Sequence, residues 1–348
     1  MKQFISDFDE IFESTSEYVS FNNKTVCVTG AYGMLGRYLT YYLCYLNEHH
    51  GSNICIVAIG RNENKMDKFF HGFMQKEYFV PIIGDLSETL DFENKIDYIF
   101  HTASLASGQY YQTNPVDVIS ANTIGTYNLL EFARRCQSTG FLYVSSGAVY
   151  GDIGGEIPVP ETTFGPLDPL NARACYAESK RLGETLCKAY HMQFQIDTKI
   201  IRLGHTYGPT LDIKNDKRVF SEFISDILEG KDIQILSDGS SKRPFTYISD
   251  IIVAMMIVLF KGDNGEAYNA CNNNCYVSVK ELAEILTSLY PQKNLKAVCR
   301  FDQGRGFKES KSTGFTLDCN KIENLGWKPC IDILEGFNRT CERLEKYE

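Results

Sequence analysis

Tyr176 and Lys180 stand four residues apart. On a helix that spacing puts both side chains on one face, one turn from each other. A cation beside a tyrosine favours the phenolate, so such a pair can pass a proton to or from a carbonyl or alcohol oxygen. Alone the spacing is weak evidence, since a surface lysine over a ring produces it often. About thirty residues upstream, Ser146 closes an apolar run at 141–144 that reads as a strand. The three types together describe hydride-transfer chemistry. Ser146 would hydrogen-bond a substrate oxygen, and Tyr176 would move the proton of a hydroxyl. Lys180 would hold a nicotinamide ribose and lower the tyrosine pKa.

Those residues need a nucleotide fold ahead of them, and the chain supplies its pattern. Thr25-Val-Cys-Val-Thr29 is a short buried-type strand. It runs into Gly30-Ala-Tyr32-Gly33-Met34-Leu35-Gly36 and then a helix with Leu35, Leu39, Leu43 and Leu46 on one side. Strand, glycine turn and helix are the setting of a dinucleotide fingerprint. Gly30 allows the tight turn, Gly33 lets backbone approach a pyrophosphate, and Gly36 lets helix meet sheet. The helix N-terminus offers N–H groups to the phosphates. The glycine spacing is GxxGxxG rather than GxGxxG.

A strand at 53–59 ends in Gly60-Arg61-Asn62, where a carboxylate for the adenosine ribose is usual in NAD sites. Its loss and the arginine tilt the cofactor from NAD toward NADP, through a 2′-phosphate pairing. Arg61 as a solvated residue stacking on adenine is an equal alternative. The strand at 79–83 leads to Asp85, placed to meet the adenine amino group, and to Leu86. The strand at 98–101 leads to Thr102, Ala103 and Ser104, small residues that leave room for a cofactor, while His101 reads as structural. A helix runs from Asn122 to about Cys136. The expected cofactor set is therefore Gly30, Tyr32, Gly33, Met34, Leu35, Gly36, Arg61, Asp85, Leu86, Thr102, Ala103, Asn122 and Lys180.

Strands alternating with helices predict an α/β fold, a doubly wound parallel sheet of Rossmann type with ligands at the carboxyl ends of its strands. A long loop at 152–172 precedes the Tyr176 helix and can shape a pocket. After 199–202 the alternation fades into helices at 219–228, 248–260, 279–289 and 331–344. We expect a smaller C-terminal α/β substrate lobe (209–242 and 273–348), a dinucleotide-binding domain (23–208 and 243–272), and an N-terminal helical extension (1–22). The extension reads as an acidic amphipathic helix packed on the outside.

Composition narrows the partners. A net charge of −9 over 348 residues supplies no basic footprint for nucleic acid. The longest apolar run, 251–260, is about half a membrane span, so no membrane partner is expected. The N-terminus has no basic start before an apolar core, and no secretion signal is read there. Twelve cysteines are scattered singly, and several lie in strand-like runs as small hydrophobes. That pattern points to reduced thiols in a cytoplasm, with no metal site.

The combined motifs resemble the extended short-chain dehydrogenase/reductases that act on nucleotide sugars, from about Lys24 to the C-terminus. The residues that carry the likeness are Thr29-Gly30-x-x-Gly33-x-x-Gly36, Gly84-Asp85-Leu86, Asn122-x-x-Gly125-Thr126, Ser145-Ser146-x-x-x-Tyr150-Gly151 and Tyr176-x-x-x-Lys180. Tyr207-Gly208-Pro209, Arg243-x-Phe-x-Tyr247 and Gly326-Trp327-x-Pro329 extend it. Ala172-Arg173-Ala-Cys-Tyr176 and Arg218-Val-Phe-Ser look most like the UDP-glucuronate decarboxylase branch. By that likeness Arg243 and Arg218 would face the diphosphate or sugar. Tyr111 and Arg173 would line the sugar pocket, and Arg305 would be a further diphosphate partner. A homodimer through the helices at Asn122 and Tyr176 is also implied.

One departure changes the chemistry. The decarboxylase branch has Thr-Ser-Glu, and the 4,6-dehydratases Thr-Asp-Glu, where this chain has Ser146-Gly147-Ala148. Alanine neither accepts nor donates a proton. His205 replaces the asparagine usual before Thr-Tyr-Gly-Pro; it can hydrogen-bond substrate or be a structural imidazole. The expected activity is redox at a carbon of a nucleoside-diphosphate sugar, as epimerase or ketoreductase. A decarboxylase, or a non-catalytic nucleotide binder on the same fold, are the alternatives.

Overall fold

The computed structural model describes residues 1–88, 95–106, 108, 110–155, 158–300 and 314–346. Five strands come early in the chain: β1 (Thr25–Thr29), β2 (Cys55–Gly60), β3 (Phe79–Ile83), β4 (Tyr98–His101) and β5 (Gly140–Ser146). They are joined by the strands Thr198–Leu203 and Ala267–Ala270 into a seven-stranded sheet, all pairs parallel. From one edge the order is Ala267–Ala270, Thr198–Leu203, β5, β4, β1, β2, β3. The chain winds outward from β1 through β2 to β3, then returns to β4 on the other side. That reversal opens a crevice at the carboxyl ends of β1 and β4, where ligands of such sheets bind. Four of the five residues of β1 are buried, as a central strand covered on both faces requires.

Six helices carry the first part: α1 (Ile5–Thr15), α2 (Met34–His50), α3 (Glu63–Phe70), α4 (Tyr110–Thr113), α5 (Pro115–Cys136) and α6 (Cys175–Phe194). α5 begins on a proline, whose missing N–H costs nothing in a first turn. α5 and α6 lie side by side.

The N-terminal helix is not an outer one. Phe4, Phe8 and Ile11 belong to the main core, with Phe8 against Tyr38, Tyr42 and Tyr45 of α2. Between them Asp7 is 0% exposed. Its carboxylate accepts from Tyr38 (2.7 Å), Tyr247 (2.7 Å), Arg339 (2.8 Å) and both terminal nitrogens of Arg343. Burial alone would raise its pKa. The hydrogen bonds and charge of Arg343, with Tyr38 and Tyr247, more than offset that and hold it below the usual value.

The later part of the chain forms smaller sheets. His205–Tyr207, Lys242–Tyr247 and Tyr276–Ser278 make one of three strands, and Ile233–Ile235 with Ala297–Cys299 a parallel pair. The helix Ile248–Lys261 is largely buried, and Trp327 donates to the Asp250 carbonyl at 2.9 Å. A second parallel pair, Pro158–Val159 with Thr316–Leu317, ties the loop before α6 to the C-terminal part; the local pattern gave no hint of it.

Candidate active site

The glycine turn comes first because its backbone sets the crevice floor. Gly30 has φ +63°, and a Cβ there would lie 2.8 Å from the Ala103 Cα. A Cβ on Gly36 would lie 2.4 Å from the Gly30 carbonyl oxygen and 2.8 Å from the Thr102 hydroxyl. The turn thus closes on itself and on the end of β4, as a dinucleotide cradle must. Thr102 donates to the Thr29 carbonyl at 2.6 Å, fixing the two strand ends together. Leu35 packs on the core, and Leu86 is buried against Gly125.

At the end of β2 a Cβ on Gly60 would meet the Tyr32 ring at 2.4 Å, so that ring takes the place of a side chain. The Tyr32 hydroxyl accepts from the Arg61 N–H at 3.1 Å. The Arg61 guanidinium reaches Asp85 at 3.4 Å. Asp85 also accepts from the Ser87 N–H and hydroxyl, both at 2.9 Å. Burial is the largest single influence on Asp85 and raises its pKa, but Ser87 and Arg61 together bring it below the usual carboxylate value.

Ser146 ends β5, and its hydroxyl accepts from the Ala148 N–H at 3.2 Å. It lies close enough to the Tyr176 phenol to favour the ionised form. Desolvation pushes the Tyr176 phenol above its ordinary pKa; that contact and the charge of Arg218 only partly oppose it. This reverses the expected direction, because depth in the cleft outweighs the neighbouring cations. Lys180 takes the strain instead. It is 2% exposed, donates to the Val144 carbonyl at 2.7 Å and sits 4.7 Å from the Tyr143 ring centroid. Desolvation lowers its pKa to about 7, with Glu184 acting the other way. Ala148 lies half-buried in the turn Gly147–Tyr150, so no acid projects from that position.

The Tyr111 ring stacks on Tyr176 with centroids 4.9 Å apart. The Arg218 charge acts on Tyr111, Tyr176 and His205, opposing the upward shifts of the two tyrosines and adding to the downward shift of the histidine. Arg218 is gripped by Asp216 (2.6 and 2.9 Å) and touches the Met34 sulfur at 3.8 Å, bringing the later part of the chain onto the glycine turn. Thr210 donates to the Met34 carbonyl at 2.7 Å, beside that contact. His205 opens to the cleft, and its pKa is pushed down to about 3 by desolvation and by the charges of Arg243 and Arg218. The neutral ring can donate or accept. Arg243 donates to Ser241 and to the Lys242 carbonyl, both at 2.6 Å. Arg173 is exposed in the turn just before α6. Arg305 lies outside the described residues. His101 bridges Thr29 (2.9 Å) and Thr126 (3.0 Å) in the interior, a structural imidazole.

Asn122 is buried, accepting from Ser104 (2.9 Å) and donating to Ser179 (3.0 Å), so it links the end of β4 to the first turns of α6. Sequence reasoning missed Glu184 and Arg202. Glu184 accepts from Ser145 at 2.5 Å and from Arg202 at 2.6 Å. The signal was present, since Tyr176, Lys180 and Glu184 form one stripe at helical spacing.

The cradle fits a dinucleotide: Gly30 and Gly36 leave backbone where a Cβ would intrude, and Lys180 stands at the strand ends opposite. Residues 26–271 match the model of the NAD dependent epimerase/dehydratase family. The chain is 35% identical to UDP-glucuronic acid decarboxylase 6 of Arabidopsis thaliana over 326 residues, covering 91% of this chain and 87% of the relative. It is 30% identical to UDP-glucuronic acid decarboxylase 1 of Xenopus tropicalis, covering 93% and 73%. Among solved structures, UDP-glucose 4-epimerase of Thermotoga maritima with UDP-glucose superposes with a TM-score of 0.78 at 22% identity, over 93% of this chain and 99% of that one. UDP-glucuronic acid 4-epimerase of Bacillus cereus in complex with NAD gives 0.74 at 23% identity, over 93% and 99%.

Proposed function

The chain belongs to the NAD dependent epimerase/dehydratase family, and from that premise we propose that it performs redox at a ring carbon of a nucleoside-diphosphate sugar, as an epimerase or a ketoreductase. The observation that carries this reading is Ser146 beside Tyr176 at the end of β5, next to buried Lys180, with Ala148 offering no acid. When bound, the nicotinamide supplies or accepts the hydride. Tyr176 takes or returns the proton of the reacting hydroxyl, and Ser146 holds the same oxygen. The raised phenol pKa keeps Tyr176 protonated at neutral pH, which suits donation to a developing alkoxide in the reductive direction; to take a proton in the oxidative direction it must first lose its own. Lys180 orients the ribose of the cofactor. Tyr111, His205, Arg218 and Arg243 face the sugar and its diphosphate, with Arg173 and Arg305 as further contacts. Arginine forks suit that anion. Of these, Arg218 and Arg305 belong to the lobe of 209–242 and 273–348, and Tyr111, Arg173, His205 and Arg243 to the dinucleotide-binding part set against it.

Arg61 and the absence of a carboxylate at Gly60 support NADP over NAD. Asp85 then serves as the partner that Arg61 leaves when it meets a 2′-phosphate. Apolar side chains exposed on α5 (Val116, Ile119, Tyr127) and α6 (Leu182) support a homodimer through these helices. Twelve free thiols suit a cytoplasmic location.

The decarboxylase reading has one observation in its favour, the 35% identity to such an enzyme over most of the chain. Incubation with UDP-, CDP-, GDP- and dTDP-sugars, following NADPH absorbance and product mass, separates the readings. Consumption of reductant with a gain of two hydrogens means a ketoreductase, and unchanged mass with a new isomer an epimerase. Loss of carbon dioxide from UDP-glucuronate overturns the weight placed on Ala148.

A further inference from the structure

Ser146 and Tyr176 come from different elements, and their alignment depends on what holds α6 to β5. Two side-chain contacts do so near the site: Lys180 donates to the Val144 carbonyl, and Glu184 accepts from Ser145, the residue before Ser146. Asn122, on α5, ties the same face of α6 through Ser179. Glu184 is the most tightly held of these. Arg202, on the strand next to β5, grips it through Nε (3.0 and 3.2 Å) and a terminal nitrogen (2.6 Å). The pair is almost wholly buried, with side chains 6% and 11% exposed. From Arg202 the chain of bonds continues to the Tyr150 hydroxyl (3.0 Å) and from there to Asn269 (2.5 Å). Asn269 in turn donates to the Val159 and Asp318 carbonyls, beside the two short strands flanking the cleft.

We propose that Glu184 is a positioning residue of the hydride-transfer site, holding Ser146 in register with Tyr176 through Ser145 and setting a negative charge one helical turn from Lys180. This rests on the reaction proposed above for its first half only; the second half concerns the lysine whatever the reaction. Among the described residues, the groups that face Lys180 are His101 from β4, Tyr143 and the Val144 carbonyl from β5, and Glu184 and Cys187 from its own helix. Glu184 is the sole carboxylate among them. A negative charge so placed favours the ammonium form, and among the described residues no direct ion pair competes for the Nζ hydrogens.

The test reads the two halves separately. Thermal midpoints are measured from about pH 6 to about pH 10 for the parent, Glu184→Gln and Glu184→Gln/Arg202→Gln, each with and without Lys180→Met. Subtracting the Lys180→Met series isolates the titration of Lys180. Its onset should move to lower pH by roughly one unit in Glu184→Gln, and in the same direction in the double variant, which leaves no buried arginine unpaired. An unmoved onset in both variants overturns the electrostatic half. For the positioning half, Glu184→Asp keeps the charge but withdraws it from Ser145. It should restore the onset yet lower kcat about tenfold, with KM little changed. Parent kcat in Glu184→Asp overturns that half. A parent that turns over no nucleotide sugar fails the reaction reading instead, and the thermal series still decides the role of the charge.

Discussion

Asp7 and Lys180 are both charged and both almost completely removed from water, yet they are treated in opposite ways. Asp7 meets two arginines and two tyrosine hydroxyls, and its charged form is favoured despite burial. Lys180 meets one carbonyl and the face of a ring, and its charged form is disfavoured. A buried charge with every lone pair met is architecture, and removing one partner strands the others. A buried charge left short of partners costs stability, and such groups gather where chemistry is done. The difference separates the end of the molecule that holds the chain together from the end that acts on a ligand.

The strongest break of this comparison lies at the site. Tyr176→Phe should cut turnover by about 10²–10⁴-fold while leaving the denaturant midpoint near that of the parent, as initial rates and urea titrations would show. Retained turnover means the proton is moved by another group. Next, Asp7→Ala should cost about 3–5 kcal/mol of folding stability, because Arg343 stays buried without its counter-ion. An unchanged urea midpoint would show that the cluster is ornamental. Third, Lys180→Met should lower activity but raise stability by roughly 1–3 kcal/mol at neutral pH.

The pH dependence follows from the same imbalance. The folded pKa near 7 lies below the ordinary 10.5. Above about 7 the folded chain sheds the proton while the unfolded chain keeps it, so the native state gains as pH rises toward 10.5 and pays the full penalty below 7. Lys180→Met should abolish that rise; a rise that persists belongs to other groups. The smallest effect is expected for an exposed charge. Arg61→Ala should leave stability within about 0.5 kcal/mol but shift relative binding from NADPH toward NADH by roughly 1.5–3 kcal/mol, read as a ratio of dissociation constants. No change in that ratio removes Arg61 from cofactor choice.

The glycine turn and the strands were legible because their signals are local. Thr25–Thr29, Phe79–Ile83, Tyr98–His101 and Ala267–Ala270 fall where apolar runs end in small residues. The meaning of Asp7 was not legible, since an acid on an amphipathic helix normally faces water and its partner Arg343 lies 336 residues away. Nor was the direction of the Tyr176 shift, because depth in a cleft is a product of several elements. Arg61 and Asp85 were each singled out, but their pairing needed the register of β2 on β3. Glu184 could have been found by extending the Tyr176–Lys180 stripe one more turn.

The Asp7–Arg343 contact also sets a timetable. At about 5–20 residues per second on the ribosome, tens of seconds separate the synthesis of the two partners. Until residues 339–343 emerge, α1 cannot bury its acid without stranding it, so the first helix made should be among the last to dock. A nascent chain arrested before that helix should keep α1 open to protease, and release should close it.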